Sequence, residues 1–155
     1  MAMAAKSFFG RFVNAYQDWR FGSIDLSAKL GARGEQAAAR FLRRNGLTII
    51  AHGESDRAGE VDLIATDRRR TSIIFVEVKT LASTKPGHPA DRVDENKQAR
   101  ITRAGLRYLH RNKLLGCVCR FDVVAVWWPS DSDQPTRIEH YPGAFEATNV
   151  NGFYS

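Results

Sequence analysis

Between Gly59 and Thr80 the chain reads GEVDLIA, then a polar TDRRRTS, then IIFVEVKT. Two apolar runs joined by a short polar turn, Thr66–Thr71, predict a pair of adjacent antiparallel strands. The second run is apolar on both faces: Ile74, Val76 and Val78 fall on one side, Ile73 and Phe75 on the other. A strand covered on both sides belongs in the middle of a sheet with helices packed on each face. Yet this strand ends in Glu77 and Lys79, two residues apart and therefore on one face. Charges at such a place are costly unless they meet a partner. Asp62, in the first run, supplies a second carboxylate from the neighbouring strand.

Two carboxylates on adjacent strands suit a hard divalent cation such as magnesium, which prefers oxygen ligands and keeps several waters. The carbonyl of Val78 is a further oxygen. A bound ion lowers the pKa of a coordinated water and polarises a phosphoryl group. Lys79 adds a compact positive charge that orients the water or offsets charge building on phosphate. The plainer reading of Glu77 and Lys79 is a salt-bridged strand end. Glu60 shares a face with Asp62 and is either an assisting ligand or a rim residue.

The rest of the chain supplies the flanking elements. A helix is expected from Ser27, as N-cap after Asp25, to Gly46, with Leu30, Gly34, Ala38, Phe41 and Leu42 as its apolar stripe. Gly31 and Gly34 would bring it close to the sheet. Glu35 lies beside the stripe, where its carboxylate can reach the charged strand end. Leu47–Ala51 reads as the first strand, followed by His52, a surface residue. After Lys79, TLASTKPGHPADR is a Gly- and Pro-rich loop carrying Lys85 and His88. Asp94 is the expected N-cap of a helix running to Asn112, with Ile101, Ala104, Tyr108 and Leu109 inward. On this helix Arg100, Arg103, Arg107 and Arg111 recur every three or four residues and form a row suited to a phosphate backbone. Cys117–Trp128 reads as a core strand, with Asp122 paired rather than catalytic. Thr136–Tyr141 reads as a short edge strand. Before all of this, Phe8, Phe9, Phe12, Val13, Tyr16 and Trp19 recur at helical spacing among Lys6, Arg11 and Arg20. The favoured reading is a helix packed on its own domain or a second copy. The other is a basic amphipathic helix for a membrane or a protein partner.

The segments GARGEQAAARFLRRNG (31–46), GEVDLIA (59–65), FVEVKT (75–80), NKQARI (96–101) and RFDVVAV (120–126) together resemble the YraN-like family of bacterial proteins. That family is similar to archaeal Holliday-junction resolvases and to the PD-(D/E)xK nuclease superfamily, which shares the restriction-endonuclease-like fold. The superfamily's Asp, Glu and Lys fall on Asp62, Glu77 and Lys79; its Pro is absent, since Val61 precedes Asp62. The resemblance implies a mixed central β-sheet flanked by helices and magnesium or manganese as cofactor. It also implies Glu35 as an accessory metal ligand, Lys97 and Gln98 as second-tier site residues, and a homodimer. Relatives carry an Arg just after VKT; here Leu81 stands there, so that phosphate contact is missing or comes from elsewhere, for instance Lys85. The function implied is metal-dependent hydrolysis of nucleic acid, DNA before RNA, in branched or structured form. The alternative is a nucleic-acid-binding or scaffolding module of the same fold without turnover.

Composition agrees with these partners. The 155 residues carry 23 Lys and Arg against 17 Asp and Glu, a net charge of +6 and a sequence pI of about 9.7. Such a chain favours polyanions, nucleic acid first and anionic membrane second. No run approaches the roughly 18 apolar residues of a membrane span, and no secretory signal is expected. Cys117 and Cys119 match no zinc pattern and are expected to be buried free thiols, as suits a reducing cytoplasm. The expected organisation is an N-terminal extension (1–26), one α/β domain (27–145) and a C-terminal tail (146–155).

Overall fold

The computed structural model describes residues 22–57, 59–83, 91 and 93–148. The predicted N-terminal helix, Lys85, His88 and the end of the tail lie outside them. The elements follow the expected order: α1 (Leu30–Arg44), β1 (Thr48–Asp56), β2 (Gly59–Thr66), β3 (Ser72–Leu81), α2 (Glu95–Arg111), β4 (Val118–Trp127) and β5 (Arg137–Phe145). Five strands form one mixed sheet in sequence order. β1, β2 and β3 pair antiparallel, β3 and β4 parallel, and β4 and β5 antiparallel. A parallel pair needs a crossover, and α2 is that crossover.

The two-sided apolar pattern of β3 is realised. Ile74 and Val76 join Ala38 and Leu42 of α1 in one buried cluster. Ile73 and Phe75 join Ile101 and Leu109 of α2 in the other. Each helix thus covers one face of the sheet. No helix among the described residues is long and apolar enough to cross a membrane.

Three local details differ from expectation. First, Ser27 does not cap α1. The Asp25 carboxylate accepts both the backbone N–H and the hydroxyl of Ser27, at 2.9 and 2.6 Å. That local turn takes up the hydroxyl, and the helix starts only at Leu30, with Lys29 as an N-cap that makes no side-chain bond. Second, β1 continues to Asp56 and β5 to Phe145, so both edge strands are longer than predicted. Third, Cys117 and Cys119 are exposed rather than buried. They stand at the start of β4, where neighbouring Val118 is also 69% exposed, so this strand end lies outside the cover of both helices.

Other expectations hold. Gly46 ends α1 with φ +90°. Its N–H reaches Arg43 O, and the N–H of Leu47 reaches Leu42 O, a Schellman pair. Asp94 caps α2, accepting from Lys97 N–H at 2.8 Å. Gly34, though not Gly31, meets the sheet: a β-carbon at Gly34 would overlap Thr80 Oγ1 and stand 2.9 Å from Thr80 Cβ, whereas one at Gly31 would meet nothing within 4 Å. Gly34→Ala should therefore destabilise the fold by about 1–3 kcal/mol through overpacking. Thr80→Ala should recover only part of this, because its β-carbon remains. Chemical denaturation of the two single variants and the double variant measures it; additive losses would show that Gly34 and Thr80 do not touch.

Candidate active site

The site forms where β2 and β3 part company. Their ladder runs from Thr66↔Ile73 to Leu63↔Val76 and stops there. One more step would set Asp62 opposite Glu77. Instead the Asp62 carboxylate swings into the ladder and accepts the N–H of Val78 at 2.7 Å. It is held against the end of β3 in place of a backbone carbonyl. Asp62 and Glu77 are both buried, 8% and 3% exposed.

Glu77 and Lys79 share a face, as alternation requires, and Lys79 Nζ lies 2.9 Å from Glu77 Oε1. Lys97 approaches from the first turn of α2, its Nζ 3.3 Å from Glu77 Oε2. That contact is ionic only: Oε2 is buried and accepts no hydrogen bond among the described residues. Lys97 thus belongs to the site directly, and the Asp94 cap aims it by fixing where α2 begins. Gln98 does not join: its side-chain amide donates to Val93 O at 2.9 Å and closes the loop before α2.

The electrostatics report how closely the acids gather. Burial, then the Glu77 charge, push Asp62 up to about 7, against the pull of the Val78 N–H and of Lys97. Glu35 of α1 is also raised, by burial first and then by Glu60 and Glu77, while His52 and Lys97 oppose the shift. Glu35 therefore lies within electrostatic range of Glu60 and Glu77. Glu60 is exposed. Among the described residues no three His, Cys, Asp or Glu side chains are gathered tightly enough to enclose an ion. The site is a buried carboxylate pair with Glu35 and two lysines around it, and a pair is enough for an ion that keeps its waters.

Arg33, absent from the sequence reading, lies on the turn of α1 before Glu35. Its guanidinium carbon stands 5.0 Å from the ring centroid of Trp128, just beyond β4. No local pattern could reveal this, because the partner is 95 positions away. Of the predicted arginine row, Arg100 and Arg107 are exposed and Arg103 is half-buried. Arg111 is paired with Glu54 of β1 and lies 5.9 Å from the Tyr108 ring. It is engaged in holding α2 to the sheet edge. Asp122 is paired, as expected: it meets Arg120, His140 and the N–H of Gly143.

Comparison with known sequences follows the same stretch of chain. The model of the family described as "Uncharacterised protein family UPF0102" matches residues 34–126, from the Gly34 contact through β4. A UPF0102 protein of Rhodopirellula baltica is 70% identical over 139 residues, covering 90% of this chain and 83% of that protein. One from Trichlorobacter lovleyi is 43% identical over 117 residues, 76% of this chain and 90% of its own length. One from Chlorobium phaeobacteroides is 39% identical over 121 residues, 76% and 94%. The chain belongs to the UPF0102 family of YraN-like proteins.

Proposed function

We propose that the chain is a divalent-metal-dependent nuclease of the PD-(D/E)xK superfamily that hydrolyses phosphodiester bonds in nucleic acid. The observation that carries this reading is the Asp62–Glu77 pair. Two carboxylates are buried together at the end of a central strand, and burial with the Glu77 charge keeps Asp62 near half-protonation at neutral pH. Such an arrangement works against stability, and groups perturbed in this way cluster at functional sites.

The donors fit magnesium or manganese. They are hard oxygens, Glu77 Oε2 accepts no hydrogen bond among the described residues, and the raised pKa of Asp62 means that a cation would compete with a proton there. Asp62 and Glu77 would hold the ion, and Glu35, not close enough for the three carboxylates to enclose it, would act on it through the ion's waters. A bound ion supplies Lewis acidity toward a phosphoryl oxygen and makes a coordinated water more acidic. The remaining work belongs to side chains of this chain. Lys79 and Lys97 both rest on Glu77. An ion on Glu77 frees at least one ammonium to orient the attacking water or to balance charge on the phosphate. Arg100, Arg103 and Arg107 line the approach along α2 and suit a phosphate backbone. The reading extends to DNA of branched or structured form, a homodimer and a cytoplasmic setting.

The alternative, a binding module without turnover, is favoured by one observation: both lysines already neutralise Glu77. A cleavage assay decides between them. Labelled four-way junctions, flaps, single strands and structured RNA are incubated with magnesium or manganese, using the wild type, Glu77→Ala and Lys79→Ala. Cleavage by the wild type that falls by about 100-fold or more in both variants is expected. Binding of these substrates without cleavage of any would favour the module instead.

A further inference from the structure

We propose that Arg33 is a preformed anchor for a substrate phosphate on the α1 side of the β3 end, past the Asp62–Glu77 pair. The inference rests on the nuclease reading and names a contact that the carboxylates and lysines do not supply.

The first argument is an unmet donor. Arg33 Nε is buried and has no hydrogen-bond partner among the described residues. Buried donors are nearly always paired, so an orphaned one marks a missing acceptor. A guanidinium offers five donors in a rigid fork matched to phosphate oxygens. The second argument is preorganisation. The guanidinium lies over the Trp128 ring, and Trp128 is itself fully buried and held by Nε1–H to Ser132 O at 2.8 Å. Ring contact fixes the cation without spending its donors on a carboxylate.

Position is the third argument. Gly34, the next residue, packs against Thr80, which follows Lys79. Trp128 N–H donates to Leu81 O at 2.8 Å. Arg33 is thereby tied to the end of β3 on the β4 side, while Glu35, two residues on, lies within electrostatic range of Glu60 and Glu77. The surroundings add positive potential. α1 has Lys29 at its N-cap, no side-chain cap and no acidic residue in its first turn. Among the described residues of this helix's first turn, no acidic side chain therefore offsets the positive end of its dipole. One strand of nucleic acid crossing the site would meet the metal-binding pair with one phosphate and Arg33 with a neighbouring one.

The test is fluorescence anisotropy of labelled four-way-junction and single-stranded DNA on the full chain, in calcium, across a salt series. The proteins compared are the wild type, Arg33→Gln, Arg33→Lys and, as a distal control, Lys113→Gln. Thermal melts check that each is folded. Arg33→Gln should weaken binding about tenfold and flatten the log Kd against log salt slope by about 0.7–0.9, the share of one phosphate. Arg33→Lys should keep the slope while losing part of the affinity, because an ammonium keeps the charge but not the planar fork. Inorganic phosphate at millimolar concentration should compete with the wild type more than with Arg33→Gln. Wild-type affinity and slope in Arg33→Gln would overturn the anchor and leave the nuclease reading standing. Failure of the wild type to bind any nucleic acid would overturn both.

Discussion

Asp122→Ala is expected to destabilise the protein by about 3 kcal/mol at neutral pH, because it strands several donors around a buried vacancy. Asp122 is fully buried. Its Oδ1 accepts from Arg120 Nε at 2.7 Å and from the N–H of Gly143 at 2.9 Å. Its Oδ2 meets Arg120 Nη2 at 3.0 Å and His140 Nε2 at 2.7 Å. Burial alone would raise this carboxyl, but the bonds from His140, Arg120 and Gly143 outweigh it and leave the pKa below the ordinary carboxylate value. The sign follows. A group whose folded pKa is depressed contributes stability that is present above its unfolded pKa and lost as pH falls through the folded one. Wild type should therefore lose stability on acidification below about pH 4, and Asp122→Ala should lose less over that window. The network also explains the shape of β5, whose register against β4 shifts between Phe121 and Val123, where Asp122 stands. Urea denaturation at pH 7 and pH 3 measures both effects. Equal destabilisation at the two pH values would mean that the loss comes from a cavity and not from the charge.

How much of this was legible in the sequence depends on the range of the physics involved. Alternation acts between residues two apart. The shared face of Glu77 and Lys79, and the opposite faces of Ile74 and Phe75, were therefore readable before any fold was known. The Asp94 cap acts over three residues, and it placed Lys97 in the first turn of α2, though not its contact with Glu77. The Arg120–Asp122 pairing was equally local. Failures came where a distant part of the chain decides. Cys117 and Cys119 continue an apolar alternation, but their burial depends on where the covering helices stop. Ser27 resembles a cap, yet Asp25 competes for its hydroxyl. β5 runs on past Pro142, because an edge strand tolerates a proline whose missing N–H would face solvent. Gln98 was named by the resemblance alone, and no local pattern indicated that its amide would turn back to Val93 O. Arg33 had no local signal at all, since its position is defined by Trp128.

Asp62→Asn should have the opposite effect to Asp122→Ala and make the metal-free protein more stable. Both aspartates are buried on adjoining parts of one sheet, but their surroundings differ in sign. Asp122 is ringed by donors; among the described residues Asp62 accepts the N–H of Val78 and feels the charges of Glu77 and Glu35. Its pKa is pushed up to about 7, by burial first and by Glu77 second. The folded state then holds a proton that the unfolded chain releases near pH 4, so stability falls as pH rises from about 4 to about 7. Asparagine keeps an acceptor for the Val78 N–H and removes the charge. The variant should match wild type at pH 4 and exceed it by about 2–4 kcal/mol at pH 8. Divalent ions should reverse the order. Manganese stabilises whatever native state binds it, so the wild-type melting temperature should rise with manganese while that of Asp62→Asn stays flat. Near pH 6 the wild type should release close to one proton for each ion bound, which calorimetry in buffers of different ionisation enthalpy detects. A gain in Asp62→Asn that is the same at pH 4 and pH 8 would show that Asp62 is not held protonated. A manganese response surviving in the variant would place the ion elsewhere. With both outcomes as expected, the stability that wild type forgoes at Asp62 is what keeps a carboxylate pair ready for a cation.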